Sequence, residues 1–415
     1  MTTIFVHPTD RAADAASLSL GLSRSRPGDV VVLGAGSYGP STSGERLPLR
    51  IPVGVTVEGS GAEDCILNGE GQFEPSFDPI RAARSVVLLE DGASLAGVTV
   101  TNGGGHGIGV PLGASVAIRN CHLSQHGDHG IFVGGATQAV ITNCVFEHNG
   151  LKRFAPELPR GAGARQGHHI FAEARHGQAN QLLISDNAMR DCFADGIAFV
   201  CFFPEPNEVS FGARILRNTI EASERGGLLF SCSFGPCQNR YQILAVDNVL
   251  KDNQQFGLNI MTAVPLADRV PQHNHLRGLI AGNAISGSPL GLAVHGALGE
   301  AHHNRCEVTL DRNRITSCPT SAIRLVGASG APGLASRSNT LEATVCRNSL
   351  SGRVVIQAAG GPADARLEEN NVNVRLRGNT GTPEQAMRVS DGPAGNTVTV
   401  QDGSQAYLRT RDNLI

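Results

Sequence analysis

A column of histidines that ends in an aspartate could do chemistry in the first half of the chain. His106, His129 and His168 each precede a Gly-Ile or His-Ile pair, and Asp195 holds the same place in the next copy. Three imidazoles and a carboxylate are a ligand set that transition metals accept. Residues on successive turns lie in a row, whereas a metal requires ligands that converge on a point. The other interpretation is a partly buried imidazole stack capped by Asp195, and no cofactor is expected to be required.

Groups suited to proton transfer occupy the opposite parity of the same segments. Asp128 and His169 are two of them, and His169 stands where the other copies have Gly or Ala. We expect these side chains to point outward beside Phe132 and Phe171, with Arg225 on a later copy. The alternative for His169 is a packing role beneath an inserted segment.

Removal of the C5 proton of a uronate needs a base and a group that neutralises the sugar carboxylate. His129 or His169 could be the base, and an adjacent Asp could orient the imidazole and raise its basicity. We predict catalytic roles for Asp128, His129, His169 and Asp195, and substrate-binding roles for His106, Phe132, Arg165, Phe171 and Arg225. Glycoside hydrolysis ranks lower, because it needs two carboxylates at a fixed separation.

These residues lie in a repeat of short strands and turns, with steps from 23 residues (Gly107 to Gly130) to 39 residues (Gly130 to His169). One aligned column consists of Asn120, Asn143, Asn187, Asn218, Asn248, Asn283, Asn313 and Asn348. A second consists of Gly107, Gly130, His169, Gly196, Gly227, Gly257, Gly291 and Ala322. Because no amphipathic helices separate the strands, the repeat predicts a solenoid whose turns stack about 4.8 Å apart, with the Asn side chains forming an inward ladder.

At this point the chain resembles the right-handed parallel β-helix proteins, the superfamily of pectate lyases and related polysaccharide enzymes. The segments Pro27–Pro40 (PGDVVVLGAGSYGP) and Gly44–Gly61 (GERLPLRIPVGVTVEGSG) resemble the amino-terminal β-helix segment of many bacterial proteins. The resemblance implies an all-β, right-handed parallel β-helix of about ten coils. A short capping helix is expected over Ala12–Ser25.

Three regions follow from this interpretation: an N-terminal cap with the first strands (1–53), the parallel β-helix (54–380) and a C-terminal cap (381–415). Insertions interrupt the repeat at 149–167, 200–212, 231–241 and 262–278. Function in a solenoid often resides in such loops. We expect them to wall a cleft over the strands of the Gly column. The alternatives are that they cover an exposed edge or form a homo-oligomer contact.

The amino-acid composition excludes some classes of binding partner. The chain has 34 Lys and Arg against 37 Asp and Glu, without basic blocks, which argues against nucleic acid and anionic membranes. The start MTTIFVHPTDRAADAA shows no export signal, and the 10 Cys lack zinc spacing. We therefore expect a cytoplasmic protein with reduced thiols.

The predicted function is an enzyme that acts on an acidic, uronate-type saccharide by elimination or epimerisation, with His acid–base chemistry. One alternative is a cytoplasmic small-molecule isomerase or cyclase that uses the apolar strip Phe132, Phe171 and Leu229. Another is a non-catalytic binding solenoid. The paired Asp motifs of polygalacturonase-type β-helices are missing, as is the aspartate–proline–histidine motif of alginate epimerases, so the specific reaction stays open.

Overall fold

The chain folds into turns of short parallel strands, and successive turns add their strands to the same sheets. The structure is a computed structural model, and it describes residues 1–10, 12–72, 84–135, 138–150, 167–173, 179–201, 209–232, 238–265, 270–330, 335–360, 366–381, 387–390, 395–402 and 405–407. The chain divides into two units, the first comprising 1–173 and 180–197 and the second 174–179 and 198–415. Each strand below is given with the unit that holds most of its residues.

The first unit has three parallel sheets. Sheet A contains Thr3–Val6, Val30–Leu33, Thr56–Gly59, Ser94–Ala96, Ser115–Arg119, Gln138–Thr142 and Ala179–Ser185. Sheet B contains Gly36–Tyr38, Cys65–Asn68, Thr99–Thr101, His122–Ser124, Val145–Glu147 and Ala188–Arg190. Sheet C contains Leu49–Ile51, Ser85–Leu89, His106–Val110, Ile131–Gly134 and Ile170–Glu173.

The second unit has the same three kinds of sheet and a smaller fourth one. Its sheet A contains Ser210–Leu216, Arg240–Val246, His275–Ala281, Arg305–Asp311, Thr340–Cys346, Asn371–Arg377 and Thr397–Asp402, followed by the antiparallel strand Gln405–Tyr407. Sheet B contains Thr219–Glu221, Val249–Lys251, Ala284–Ser286, Arg314–Thr316 and Ser349–Leu350. Sheet C contains Ile197–Val200, Gly226–Ser231, Phe256–Met261, Leu290–Leu298, Ser321–Ser329, Val354–Gly360 and Met387–Ser390. Sheet D contains Ala301–His302, Ala335–Arg337 and Arg366–Glu368.

The register of these strands stacks like residues on like. Ile108 pairs with Ile131, and Ile131 pairs with Ile170, all three fully buried. Inward side chains of one turn therefore find their apolar partners only on the neighbouring turns, so a single turn has no core of its own. The predicted solenoid of parallel strands is confirmed in each unit.

A ladder of asparagines, buried except for its last member, runs along the second unit at the turn between sheets A and B. It consists of Asn218, Asn248, Asn283, Asn313, Asn348 and Asn379, and each Nδ2 donates to the Oδ1 of the next member at 2.9–3.0 Å. Each side chain also accepts a backbone N–H from the preceding turn, for example Asn248 N–H to Asn283 Oδ1 at 2.9 Å. The amides thereby satisfy backbone groups that the turn would otherwise bury unpaired.

The sequence alignment of this ladder is wrong by one residue in two turns of the first unit. Asn120 and Asn143 are exposed and have φ of 52° and 55°, and the ladder position that follows is held by Cys121 and Cys144, which are buried. In the second unit the left-handed position precedes the ladder residue, as in Arg217 (φ 54°) before Asn218. Asn tolerates both environments, because its amide hydrogen-bonds locally in the left-handed region and laterally in the ladder.

The N-terminal capping helix is shorter than expected. It spans Leu18–Arg24 rather than Ala12–Ser25, because Ala15 forms a β-bridge with Val6. The Glu45 carboxylate accepts the backbone N–H groups of Leu18 and Ser19, both at 2.7 Å. This contact satisfies two donors that every helix start leaves free.

Several predicted features lie outside the described residues. Part of each insertion does so, at 151–166, 202–208, 233–237 and 266–269. The boundaries proposed at 53 and 380 stay predictions. Among the residues that the structure describes, no helix is long and apolar enough to cross a membrane.

Candidate functional site

The histidine column forms an aromatic stack in the first unit. The rings of His106 and His129 lie 5.0 Å apart and 3° from parallel, and those of His129 and His168 lie 5.2 Å apart. Phe132 packs on His106 at 4.8 Å, and Phe171 packs on His129 at 4.7 Å. All five side chains are buried. Phe132 and Phe171 therefore do not form the open strip that we expected.

A bend at Gly130 places His129 and Phe132 on the same side of sheet C. A Cβ on Gly130 would approach Phe146 and Asn149 to 3.1 Å, so this glycine faces the interior of the unit. The rings of His129 and Phe132 stack with each other at 6.1 Å. The expectation of strict alternation was wrong here, because alternation holds only within a regular strand and this bend precedes one.

Asp128 joins the histidines, whereas we had placed it on the opposite face. Its Oδ2 lies 3.3 Å from His106 Nδ1, and its Oδ1 lies 3.4 Å from His129 Nε2. Further along the stack, Asp195 Oδ2 lies 3.4 Å from His168 Nδ1. The Asp195 carboxylate thus caps the imidazole column, as one of the two interpretations required.

Hydrogen bonds assign the proton of His129. Its Nδ1 accepts the backbone N–H of His168 at 3.2 Å, so the neutral imidazole carries its proton on Nε2, which faces Asp128. His168 Nδ1 likewise accepts the backbone N–H of Asp195 at 3.1 Å. His129 therefore has no free lone pair with which to act as the predicted base. Instead, its Nε2 lies 3.4 Å from Asp128 Oδ1, in contact with that carboxylate but without a hydrogen bond.

The assignment of the His129 proton to Nε2 also decides whether these residues could bind a metal. His106, Asp128 and His129 present ligand atoms within 4.8 Å of one another, a convergence that the sequence did not predict. A metal needs an unprotonated nitrogen from each imidazole, however. His129 Nδ1 is occupied by a backbone donor and Nε2 holds the proton, so this hydrogen-bonded arrangement does not fit a metal.

Burial sets the protonation states of the group. It lowers the pKa of His106 to about 3, with the charge of Arg84 adding to the effect, and lowers the pKa of His129 well below its ordinary value. It raises the pKa of Asp128 to about 7, against the opposing charge of Arg84. Arg84 was not predicted; its carbonyl accepts the His106 N–H at 2.9 Å. The result is a carboxyl group that titrates near neutral pH between two neutral imidazoles.

His169 faces the interior, so its predicted role as an outward base is wrong. Asn149 Nδ2 donates to His169 Nδ1 at 3.0 Å, the ring lies 5.7 Å from that of Phe146, and the side chain is fully buried. Burial lowers the pKa of His169 to about 3. His126 is buried in the same way one turn earlier, where its Nδ1 accepts the Gly103 N–H at 3.1 Å. Both imidazoles therefore hydrogen-bond inside the unit, and His169 does so at the position where the other copies have Gly or Ala.

The two predicted arginines are Arg165 and Arg225. Arg165 lies outside the described residues. Arg225 belongs to the second unit, in the bend before Gly226–Ser231, where its carbonyl accepts the backbone N–H of Gln255 at 2.7 Å. Of the predicted site residues, the structure brings together His106, Asp128, His129, Phe132 and Phe171, with Asp195 at the end of the stack.

The chain is similar to known families and to solved structures. A family model described as a right-handed β-helix region matches residues 84–265, and one for a protein of unknown function (DUF1565) matches residues 15–152. The solved structure of a family 28 exopolygalacturonase from Yersinia enterocolitica has a TM-score of 0.52 at 12% identity, covering 97% of this chain and 78% of that chain. The chain is a right-handed parallel β-helix. At this identity the likeness shows the fold of the β-helix alone.

Two further solved structures are similar over most of the β-helix. The A-module of the mannuronan C-5 epimerase AlgE6 from Azotobacter vinelandii is 13% identical, covers 91% of each chain and has a TM-score of 0.43. A pectin methylesterase from carrot is 14% identical, covers 77% of this chain and 85% of its own, and has a TM-score of 0.42. No curated protein matches the chain significantly.

Proposed function

We propose that this β-helix is an enzyme that moves a proton on an acidic saccharide, with Asp128 as the group that contacts the substrate. The observation that carries the proposal is the pair of contacts at 3.3 and 3.4 Å from the Asp128 carboxylate to His106 and His129. The fold shared with an exopolygalacturonase supports an acidic saccharide as the substrate class.

Asp128 suits proton transfer because of its surroundings. A general base works best when its pKa lies near the working pH, and burial raises the pKa of Asp128 to about 7. The carboxyl is 8% exposed, whereas His129 is fully buried, so Asp128 is the member of the pair with access to a ligand. The two carboxyl oxygens lie 3.3 Å from His106 Nδ1 and 3.4 Å from His129 Nε2, so the carboxyl group lies between the two imidazoles.

Arg84 is the cation that the chemistry requires. Its positive charge acts on both His106 and Asp128. A cation beside the sugar carboxylate stabilises the charge that develops when the C5 proton leaves. Elimination and epimerisation share this first step. In the proposal Arg84 takes the role that we had predicted for Arg165 or Arg225.

A small-molecule isomerase or cyclase is the second candidate. The observation that favours it is the apolar setting of the acid–base group, because the Phe132 and Phe171 rings pack directly on His106 and His129. Such walls suit a compact substrate better than a polymer.

Turnover of uronate oligosaccharides tests the proposal. The wild type should convert at least one of the pectin, alginate or glycosaminoglycan fragments, and Asp128→Asn should lose at least about 100-fold in rate. Asp252→Asn is the matched control, since Asp252 is exposed in the second unit. Full turnover by Asp128→Asn, or no conversion of any fragment by the wild type, would refute the saccharide proposal.

A further inference from the structure

The outer face of sheet C in the second unit carries polar side chains that the sequence analysis missed. Asn259 pairs with Ala293, and Ala293 pairs with Arg324, so the asparagine and the arginine flank one alanine on neighbouring strands. His295 follows Ala293 by two residues and therefore lies on the same face. Leu292 and Val294, which flank Ala293 in the sequence, are fully buried on the inner face. Asn259, His295 and Arg324 are each half-buried.

We propose that Asn259, His295 and Arg324 form a binding site for the carboxylate of an anionic sugar. The assignment of a sugar as the ligand rests on the proposed function. The assignment of a carboxylate rests on the side chains themselves, because a guanidinium binds carboxylates through paired N–H donors.

Unpaired polar atoms point to a missing ligand. Asn259 Oδ1, His295 Nδ1 and Arg324 Nε are buried atoms that have no hydrogen-bond partner among the described residues. A buried polar atom left unpaired destabilises the folded protein, and three of them on adjacent strands are unusual. A carboxylate would accept from Arg324 Nε, and sugar hydroxyls would donate to Asn259 Oδ1 and to His295 Nδ1.

The charges at the site agree with an anion. Burial and the nearby charge of Arg324 lower the pKa of His295 to about 4, so the imidazole is neutral at pH 7 and Arg324 supplies the positive charge. Among the described residues that share this face of the central three strands, none is acidic: they are Asn259, Met261, Ala293, His295, Arg324 and Val326. A bound carboxylate would therefore meet a cation without a competing anion.

Packing closes one end of this face. Ala297 and Ala328, which continue the outer face beyond His295, belong to one buried cluster with Ala301 and Leu367 of sheet D. Sheet D thus covers the strands beyond the polar group. The side chains of Asn259, His295 and Arg324 stay half-buried. The polar side chains lie at the edge of a covered surface, which is where a small ligand gains both contact and access.

Equilibrium titration with sodium glucuronate tests the site, with glucose as the uncharged match and inorganic phosphate as the competing anion. The wild type should bind glucuronate more tightly than either. Arg324→Met should weaken glucuronate binding at least 10-fold, and Arg324→Lys should weaken it less, since it keeps the charge but loses the planar fork. Arg375→Met, at an exposed position of sheet A, should bind like the wild type.

Three results would overturn the site: equal binding of glucose, tighter binding of phosphate, or unchanged affinity in Arg324→Met with an unchanged unfolding temperature. Asp128→Asn separates the two proposals, because it should lose turnover and still bind glucuronate. Binding that depends on Arg324 without turnover of any oligosaccharide keeps this site and refutes the proposed function. Turnover without binding that depends on Arg324 keeps the proposed function and refutes this site.

Discussion

At the scale of single residues, burial decides which histidines can do chemistry. His169 hydrogen-bonds to Asn149 inside the first unit, and His129 Nδ1 accepts the backbone N–H of His168. Asp128 is 8% exposed and has a pKa of about 7. In the proposed function, the carboxyl group therefore exchanges the proton and the imidazoles pack around it.

Replacement of His169 separates packing from catalysis. His169→Ala removes a fully buried ring and its hydrogen bond with Asn149, so the free energy of unfolding should fall by about 2–4 kcal/mol. Turnover by the folded variant should stay within a factor of about two of the wild type. His122→Ala, which removes a half-buried imidazole that lies 3.6 Å from Glu147, should cost less than about 1 kcal/mol. Urea unfolding and a turnover assay on both variants check this, and a specific rate loss in His169→Ala would contradict it.

The pH dependence of stability follows from the same residue. The pKa of His169 is about 3 in the folded protein, against an ordinary value of 6.5, so the unfolded chain binds one more proton between these limits. The stabilisation is fully present above pH 6.5 and is lost as the pH falls toward 3. His169→Gln should therefore reduce the slope of unfolding free energy between pH 5.5 and 4.5 by about 1.4 kcal/mol per pH unit. Denaturant titrations across that range measure the slope, and an unchanged slope would show that His169 is protonated in the folded state.

The role of His129 as a positioning residue has a kinetic signature. His129→Leu removes the Nε2–H donor that faces Asp128 Oδ1, so the pKa of the Asp128 carboxyl should rise further above about 7. The limb of the rate profile set by this group should move about 1–2 pH units upward. His129→Gln keeps an amide donor and should shift it less. A pH–rate profile of the three proteins checks the order, and identical profiles would remove His129 from the mechanism.

At the scale of elements, the turns hold the solenoid together as much as the strands do. Asn283 donates to Asn313 Oδ1 and to the Ala245 carbonyl, both at 2.9 Å, and accepts the Asn248 N–H. Its replacement would leave several buried groups of neighbouring turns unpaired at once.

Two asparagines of the repeat should therefore respond differently to substitution. Asn283→Ala should lower the free energy of unfolding by about 3 kcal/mol or more. Asn143→Gly, at an exposed left-handed position, should change it by less than about 0.5 kcal/mol. Thermal unfolding of both variants compares them, and equal losses would contradict the distinction between ladder and turn positions.

The same comparison shows what a sequence can predict here. The repeat fixes the solenoid, because inward Ile and Val must stack from turn to turn. It does not tell Asn143 from Asn187, since an amide suits both the left-handed turn and the ladder. It also does not reveal the bend at Gly130, which puts His129 and Phe132 on one side. The outward position of Arg324 could have been predicted from the sequence. Arg324 lies two residues after the Gly position, in the same column as Phe132, Phe171 and Leu229.

At the scale of the whole chain, each unit offers one polar group on sheet C. The first presents Asp128 with its two histidines, and the second presents Arg324 with Asn259 and His295. In the two proposals, the first group moves a proton and the second binds an anion, and each is tested within its own unit.

Solvent deuterium exchange at C5 tests the central claim most directly, since elimination and epimerisation both begin with loss of that proton. In D₂O, the wild type should introduce deuterium at C5 of the uronate residues or release an unsaturated product. Asp128→Asn should do neither, and Asp252→Asn should match the wild type. Wild-type protein that binds uronate oligosaccharides but leaves the C5 proton in place would contradict the account.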